Sequence, residues 1–508
     1  MTIDTLENLN LKFKNIKLNY SLIFEILVSL LILTTVYTLI SLPFKEEVYV
    51  WILFIMWIGM VLYSLLDYKN RIFLTMFLLS FFNFLIGRSL LITTGLYKEY
   101  YYFSDYANVQ GQRIVIFSFV IFSISYFFAD KYLKKDESTI KSNYKTKNYN
   151  LLKRTSKILF YIFYFFLIYA VAVKALYVYQ HGYPSLYLNK TANMNVIIRK
   201  LGEFAPYFFF LFLSTMPSKK EIRIPLIFWI IYLLATLLIG ARFSFVIGVL
   251  TIFTYIVLRN FLNNNGEKWI TKKQVYILVI IGVFVLAFFA IYKDFRFGNA
   301  LKKNNPIRLV FDFFYEQGVN INNNKRIFQF ESDIPTDRIY SFNSMISFWD
   351  RNIGSRLMGD QLVLGNNLNR AYNENSMSDM LSVLVLGEKK YLSGLGVGSS
   401  YIAEIYHDFS WGGLIIVNML YAFLMNWMQE SIRRGPISFL ITINIFMGFL
   451  KTPRANADLI LLQVIDPILW FSILAVFVSY RIQKETFYKS NKPLNDINNE
   501  NTCVKEIN

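Results

Sequence analysis

What most constrains this chain is a series of apolar runs that recur at the length of a bilayer crossing. A hydrocarbon core about 30 Å thick takes roughly 20 apolar residues in an α-helix. Inside it every backbone N–H and C=O must be satisfied within the protein, which for continuous runs means helices. Twelve such runs are expected, at about 20–42, 48–66, 72–95, 112–130, 157–179, 203–217, 224–240, 243–261, 274–292, 410–428, 436–452 and 457–480. The first, Tyr20 to Leu42, is too long for the apolar core of a signal peptide and no small-residue cleavage site follows it, so it reads as a retained helix. With 55% of 508 residues hydrophobic and 18% aromatic, the chain has more apolar surface than a soluble protein can hide. The expected fold class is an all-α polytopic membrane protein.

Orientation follows from lysine and arginine in the connections. With the N-terminus inside, the inner segments hold 28 of the 52 basic residues, nine of them between 131 and 157. The other side holds 24, of which 13 lie in one long segment, 293–409, and long segments translocate largely regardless of charge. The comparison is then 28 against 11, and both termini are expected to be cytoplasmic. The net charge of +18 is mostly this bias together with attraction to anionic lipid. It is no nucleic-acid footprint, because no basic patch sits on a soluble domain.

Four parts are expected: transmembrane helices over 1–292, a large extracytoplasmic loop over 293–409, further transmembrane helices over 410–483, and a disordered cytoplasmic tail over 484–508. Within the loop, Ile346–Trp349 and Leu357–Leu364 suit short amphipathic helices. The asparagine-rich stretches Asn320–Asn324 and Asn366–Asn375 read as loops. Absence of an internal repeat weakens a transporter reading. The only histidines are His181 and His407 and the only cysteine is Cys503, which excludes Cys/His metal chemistry.

Two sets of residues stand out as candidates for chemistry. The first is GLGVGSSYIAEIYHDFSWGG, where Glu404, His407 and Asp408 fall at i, i+3 and i+4 and so share one helix face. Such a trio suits a site at the mouth of a span, or simply an acidic helix start. The second is a set of arginines on the expected outer side: Arg88, Arg242, Arg351, Arg356 and Arg454. Arg242 sits in a turn too short to be freely solvated. Arginine's rigid fork matches phosphate, so the set points to an anionic headgroup. The loop HGYPSLYLNKTANMN, with Tyr183, suits sugar binding through aromatic faces and amides, or an ordinary interfacial aromatic belt.

The order HGYPSLY, GARFSFV, FFYEQGVNIN, YSFNSMISFWDR and LGVGSSYIAEIYHDFSWGG resembles the Wzy-type O-antigen and capsular polysaccharide polymerases. Two positions depart from that family's pattern: Ser410, where glycine is usual, and Asn320, where a serine-like residue is. His407 falls at a variable position. The resemblance implies a multi-span, GT-C-like, lipid-dependent glycosyltransferase. It would move a growing glycan from undecaprenyl diphosphate to a sugar hydroxyl of a new lipid-linked repeat unit on the outer face. No cofactor, metal, nucleotide sugar or ATP is implied. Membrane lipids are implied partners, with room for a chain-length regulator and a flippase. Glu404 backed by Asp408 is the expected base, a salt bridge from Glu404 to an arginine being the alternative. A flippase for the same lipid, or a ligase passing finished glycan to another carrier, are the rival functions. A flippase would concentrate charge mid-span, whereas here it gathers at one face.

Overall fold

The computed structural model of the protein describes residues 45–132, 149–188, 195–262, 306–349 and 365–490, with scattered positions between 262 and 306. Among the described residues the fold is helical, without strands. Six membrane-length helices come first: α1 (Glu46–Leu66), α2 (Ile72–Thr93), α3 (Asp105–Tyr132), α4 (Asn150–His181), α5 (Lys219–Leu238) and α6 (Arg242–Leu262). Shorter helices follow in the long insert, among them α7 (Pro306–Gln317), α8 (Ile321–Gln329) and α9 (Met377–Leu386). Three more of membrane length close the chain: α10 (Tyr401–Ser431), α11 (Pro436–Arg454, its last turn 3-10) and α12 (Leu459–Ser479).

These nine long helices match expected crossings. The runs at 20–42 and 274–292 lie largely outside the described residues. The run at 203–217 differs. It contains the ten-residue helix Ala205–Ser214, about 15 Å long at 1.5 Å per residue and so half a crossing. Its Phe208–Leu213 side chains are at most 1% exposed. The segment is apolar all round because it is core, packed on α4 and α11. The last helix continues to Ser490, past the expected tail boundary at 484.

Burial separates the helices into a centre and a rim. Most of α2, α3 and α11 is buried, whereas α1, α4, α5 and α12 leave apolar side chains such as Ile55, Phe165, Leu234 and Phe471 outward. Such a large apolar surface is what lipid covers. Phenylalanines knit the centre: Phe73 on Phe446, Phe77 on Phe122 and Phe81 on Phe119 have ring centroids 4.8–5.1 Å apart.

The described part of the insert is ordered over one end of this bundle. Lys325 of α8 reaches Glu46 of α1 at 2.6 Å and Asn108 of α3 at 2.8 Å. The Asn320–Asn324 stretch, expected as a loop, is a 3-10 turn entering α8, with every residue 2% exposed or less. Asparagine disfavours helix interiors because its amide competes for backbone groups. Here Asn320 and Asn323 direct their amides outward instead, to the carbonyls of Pro453 (2.6 Å) and Val397 (3.2 Å), and packing overrides propensity. In the second asparagine-rich stretch, Asn367 caps a short helix, Leu368–Tyr372, accepting from the Arg370 amide at 2.9 Å. Asn343–Trp349 is helical as expected, and Leu357–Leu364 lies outside the described residues.

α10 begins at Tyr401 rather than near 410 and breaks at Ser410, whose φ is +51° and ψ −146°. Only glycine adopts such backbone freely, and another residue there costs about 1–3 kcal/mol. The serine that departs from the family pattern thus occupies the one strained position of that helix.

Candidate active site

At the covered end of the bundle, the α5–α6 turn, the turn after α11 and the described insert enclose a cavity of about 830 Å³. That is within the range of sites that hold a sizeable small molecule. Four arginines line it: Arg242, Arg326, Arg370 and Arg454. Tyr183 and Tyr187 contribute aromatic wall, their hydroxyls 2.8 Å apart. Of the expected site residues, the structure therefore brings together Arg242, Arg454 and Tyr183.

One stretch of chain aims three of these arginines. Glu316 at the end of α7 lies 3.8 Å from the Arg242 guanidinium. The next residue, Gln317, accepts from Arg454 at 2.7 Å. Asn323, a turn into α8, accepts from Arg326 at 2.7 Å and donates to Asn320 at 2.9 Å. Arg454 also sits between the rings of Phe84 and Phe243, 5.7 and 5.5 Å from their centroids. Arg326 is 2% exposed beside the Tyr101 ring, and burial lowers its guanidinium to about 10, still cationic at neutral pH. Arg242 opens α6 two residues after Gly240, whose φ of +84° makes the tight reversal from α5.

Arg88 is not on the cavity wall. It is buried, its guanidinium forked onto Glu99 (2.9 and 2.6 Å), stacked 3.9 Å from the Tyr315 ring, and donating to the Tyr315 carbonyl at 2.9 Å. Burial alone would raise the Glu99 carboxyl, but Arg88 holds it below its usual value. The expected contact of Arg88 with a headgroup gives way to a brace under the Tyr315–Gln317 turn. Arg88 follows a π-helical segment of α2, Phe82–Ile86, a rare distortion that often accompanies sites. Arg351 and Arg356 lie outside the described residues.

The acidic trio also sits elsewhere. Glu404 is fully buried, one oxygen accepting from Ser399 at 2.6 Å and the other from the Ala457 amide at 2.9 Å. Asp408 accepts from the Ser341 amide (2.7 Å) and hydroxyl (2.6 Å), with His407 at 3.2 Å. Asp458 accepts from the Met345 amide at 2.7 Å, and burial raises its carboxyl. None of the trio lines the cavity. The three carboxylates instead fasten insert and turn backbone to the ends of α10 and α11. Against the expectation that Glu404 and Asp408 meet the acceptor, both carboxylates lie off the cavity wall and bond the Ala457 and Ser341 backbone instead.

Sequence reasoning missed Arg326, Arg370 and Asp379. Ser376 and Asp379 carry a helix-start signal, the Ser376 hydroxyl donating to Asp379 at 2.6 Å. That signal locates a cap and says nothing of a cavity. Arg370 lay within a stretch read as loop, Asn366–Asn375, and Arg326 just past the other, Asn320–Asn324.

The architecture is that of a multi-pass membrane protein with an arginine-lined polar cavity under an ordered insert. The family model described as O-antigen polysaccharide polymerase Wzy matches residues 20–489, and the chain belongs to that family. No curated protein and no solved structure matches it significantly. Membership gives the general activity: an enzyme of polysaccharide biosynthesis that polymerises lipid-linked O-antigen repeat units in a membrane.

Proposed function

We propose that the protein transfers a glycan en bloc from undecaprenyl diphosphate to a hydroxyl of an incoming lipid-linked repeat unit, on the outer face of the cytoplasmic membrane. The observation that carries this reading is the cavity with Arg242, Arg326 and Arg454 on its wall. In the transfer the acceptor oxygen bonds to the anomeric carbon and the bond from that carbon to the diphosphate breaks. The leaving lipid diphosphate keeps the electron pair, and the hydroxyl proton goes to a base. Charge grows on the diphosphate, and positioned guanidiniums stabilise it. The tyrosine faces of Tyr183 and Tyr187 suit the sugars. Segments 183–187, 240–243 and 454–456 fall on the side that the charge bias assigns to the exterior. Glu404 and Asp408 serve as anchors of that site rather than as its base.

The test is the fate of repeat units in cells lacking the gene. Single units on surface carrier, without long chains, are expected, and plasmid-borne gene restores the ladder. Lipid-linked units trapped on the cytoplasmic side would refute the reading in favour of a flippase.

A further inference from the structure

The transfer just proposed needs a proton acceptor, and the carboxylates favoured by sequence are committed elsewhere. Among the described residues, the cavity wall carries a single carboxylate, Asp379. It sits in the first turn of α9 and is 7% exposed. Its Oδ2 accepts from the Ser376 hydroxyl (2.6 Å) and from Arg370 (2.9 Å), and its Oδ1 accepts from the Tyr391 hydroxyl at 3.0 Å. A carboxylate oxygen has two acceptor sites, so Oδ1 keeps one. Arg370 is itself fixed, donating to the Gly365 carbonyl at 3.2 Å with Glu374 3.9 Å away. The carboxylate is therefore held by one oxygen and lightly loaded on the other. Ser378, Ser382 and Asn366 lie on the same wall and offer hydroxyls and an amide to a sugar.

We infer that Asp379 takes the proton of the acceptor hydroxyl, with Ser376, Arg370 and Tyr391 positioning its carboxylate. This rests on the transfer reading above. The acceptor O–H bond breaks as its oxygen bonds to the anomeric carbon. The proton passes to Asp379 Oδ1, and the lipid diphosphate departs with the electrons of the old bond toward Arg242, Arg326 and Arg454. The cavity is thus divided by chain segment: Arg242 and Arg454 of the bundle turns with Arg326 of α8 for the leaving group, and the 366–382 stretch for the acceptor.

The experiment uses the full chain in lipid nanodiscs with a synthetic undecaprenyl-diphosphate-linked repeat unit, reading polymer formation and donor dissociation separately. Asp379→Asn is expected to lower turnover by about 100-fold or more, the usual scale for losing a general base, while donor dissociation stays at its wild-type value. Wild-type turnover in the variant overturns the inference, and so does a parallel loss of turnover and donor binding. Asp379→Asn combined with Arg370→Gln decides between chemistry and scaffolding. If Asp379 merely neutralises Arg370, removing both charges restores turnover, because the cost of such a change lies in the unpaired partner. If Asp379 is the base, the double variant folds and stays slow, which also covers a single variant too unstable to purify. A wild-type protein that binds the lipid and makes no polymer would instead sink the transfer reading itself.

Discussion

Replacing Gly394 with alanine tests how the cavity wall is closed. Gly394 has φ +90°, and a Cβ there would lie against Pro184, 2.9 Å from its carbonyl carbon and closer still to its oxygen. The left-handed backbone costs a non-glycine residue about 1–2 kcal/mol, and intrusion into a packed contact a further ~1–3 kcal/mol. Both atoms met are backbone, so no rotamer can relieve the clash. The Tyr183–Tyr187 turn must move off the 394–398 stretch, straining the bond from the Asn366 amide to the Tyr187 carbonyl, now 2.8 Å. A shift on the order of 1 Å in a positioning wall can cost about 100-fold in rate. Gly387→Ala supplies the control, since Gly387 has φ +78° and nothing within 4 Å of its Cβ position. It carries the backbone strain without the collision. The assay is the polymer ladder at matched protein level in membranes, with heat-unfolding midpoints of both purified variants. Gly394→Ala should lose long chains and Gly387→Ala should keep them. Equal behaviour of the two would refute the reasoning.

Two further outcomes follow from the site. Arg242→Lys keeps the charge and loses the fork; with ionic hydrogen bonds worth about 1.5–3 kcal/mol, polymer formation should fall by roughly ten- to a hundredfold at normal protein level, and normal polymer from Arg242→Ala would remove Arg242 from the site. Glu404→Gln forfeits one of two acceptor roles in a buried position, so stability should drop by about 1–3 kcal/mol while the folded protein still polymerises; lost turnover at wild-type stability would return Glu404 to the chemistry.

Much of the bundle was legible because a bilayer imposes its thickness on the chain: the nine long helices follow from apolar runs. The Ala205–Ser214 helix is short for a crossing, yet with Val196–Gly202 it carries the chain from the cavity end back to the start of α5, and sequence could not tell such a core-wrapped passage from a lipid-facing span. Arg242, Arg454 and Tyr183 could be read because each sits next to a span end, where local sequence fixes depth. That Glu404 and Asp408 lie off the cavity wall could not be read for a different reason. A helix face can be read from spacing, but spacing does not tell whether the face meets a cavity or a neighbouring backbone. Asp379, Arg326 and Arg370 were out of reach because their place on the wall depends on how the insert folds back.

Arg454 and Arg326 are steadied by amide oxygens and aromatic rings, and among the described residues neither has a carboxylate partner. Neutral tethers fix direction without cancelling charge. Such a wall is under electrostatic stress whenever it stands empty, and the spent diphosphate, with one more negative charge than the loaded one, relieves it best. Under the proposed reaction the spent carrier is then held more tightly than the loaded one. Carrier departure then competes with glycosidic bond formation for control of the pace, and chain length turns on how fast a spent lipid can be exchanged for a loaded one.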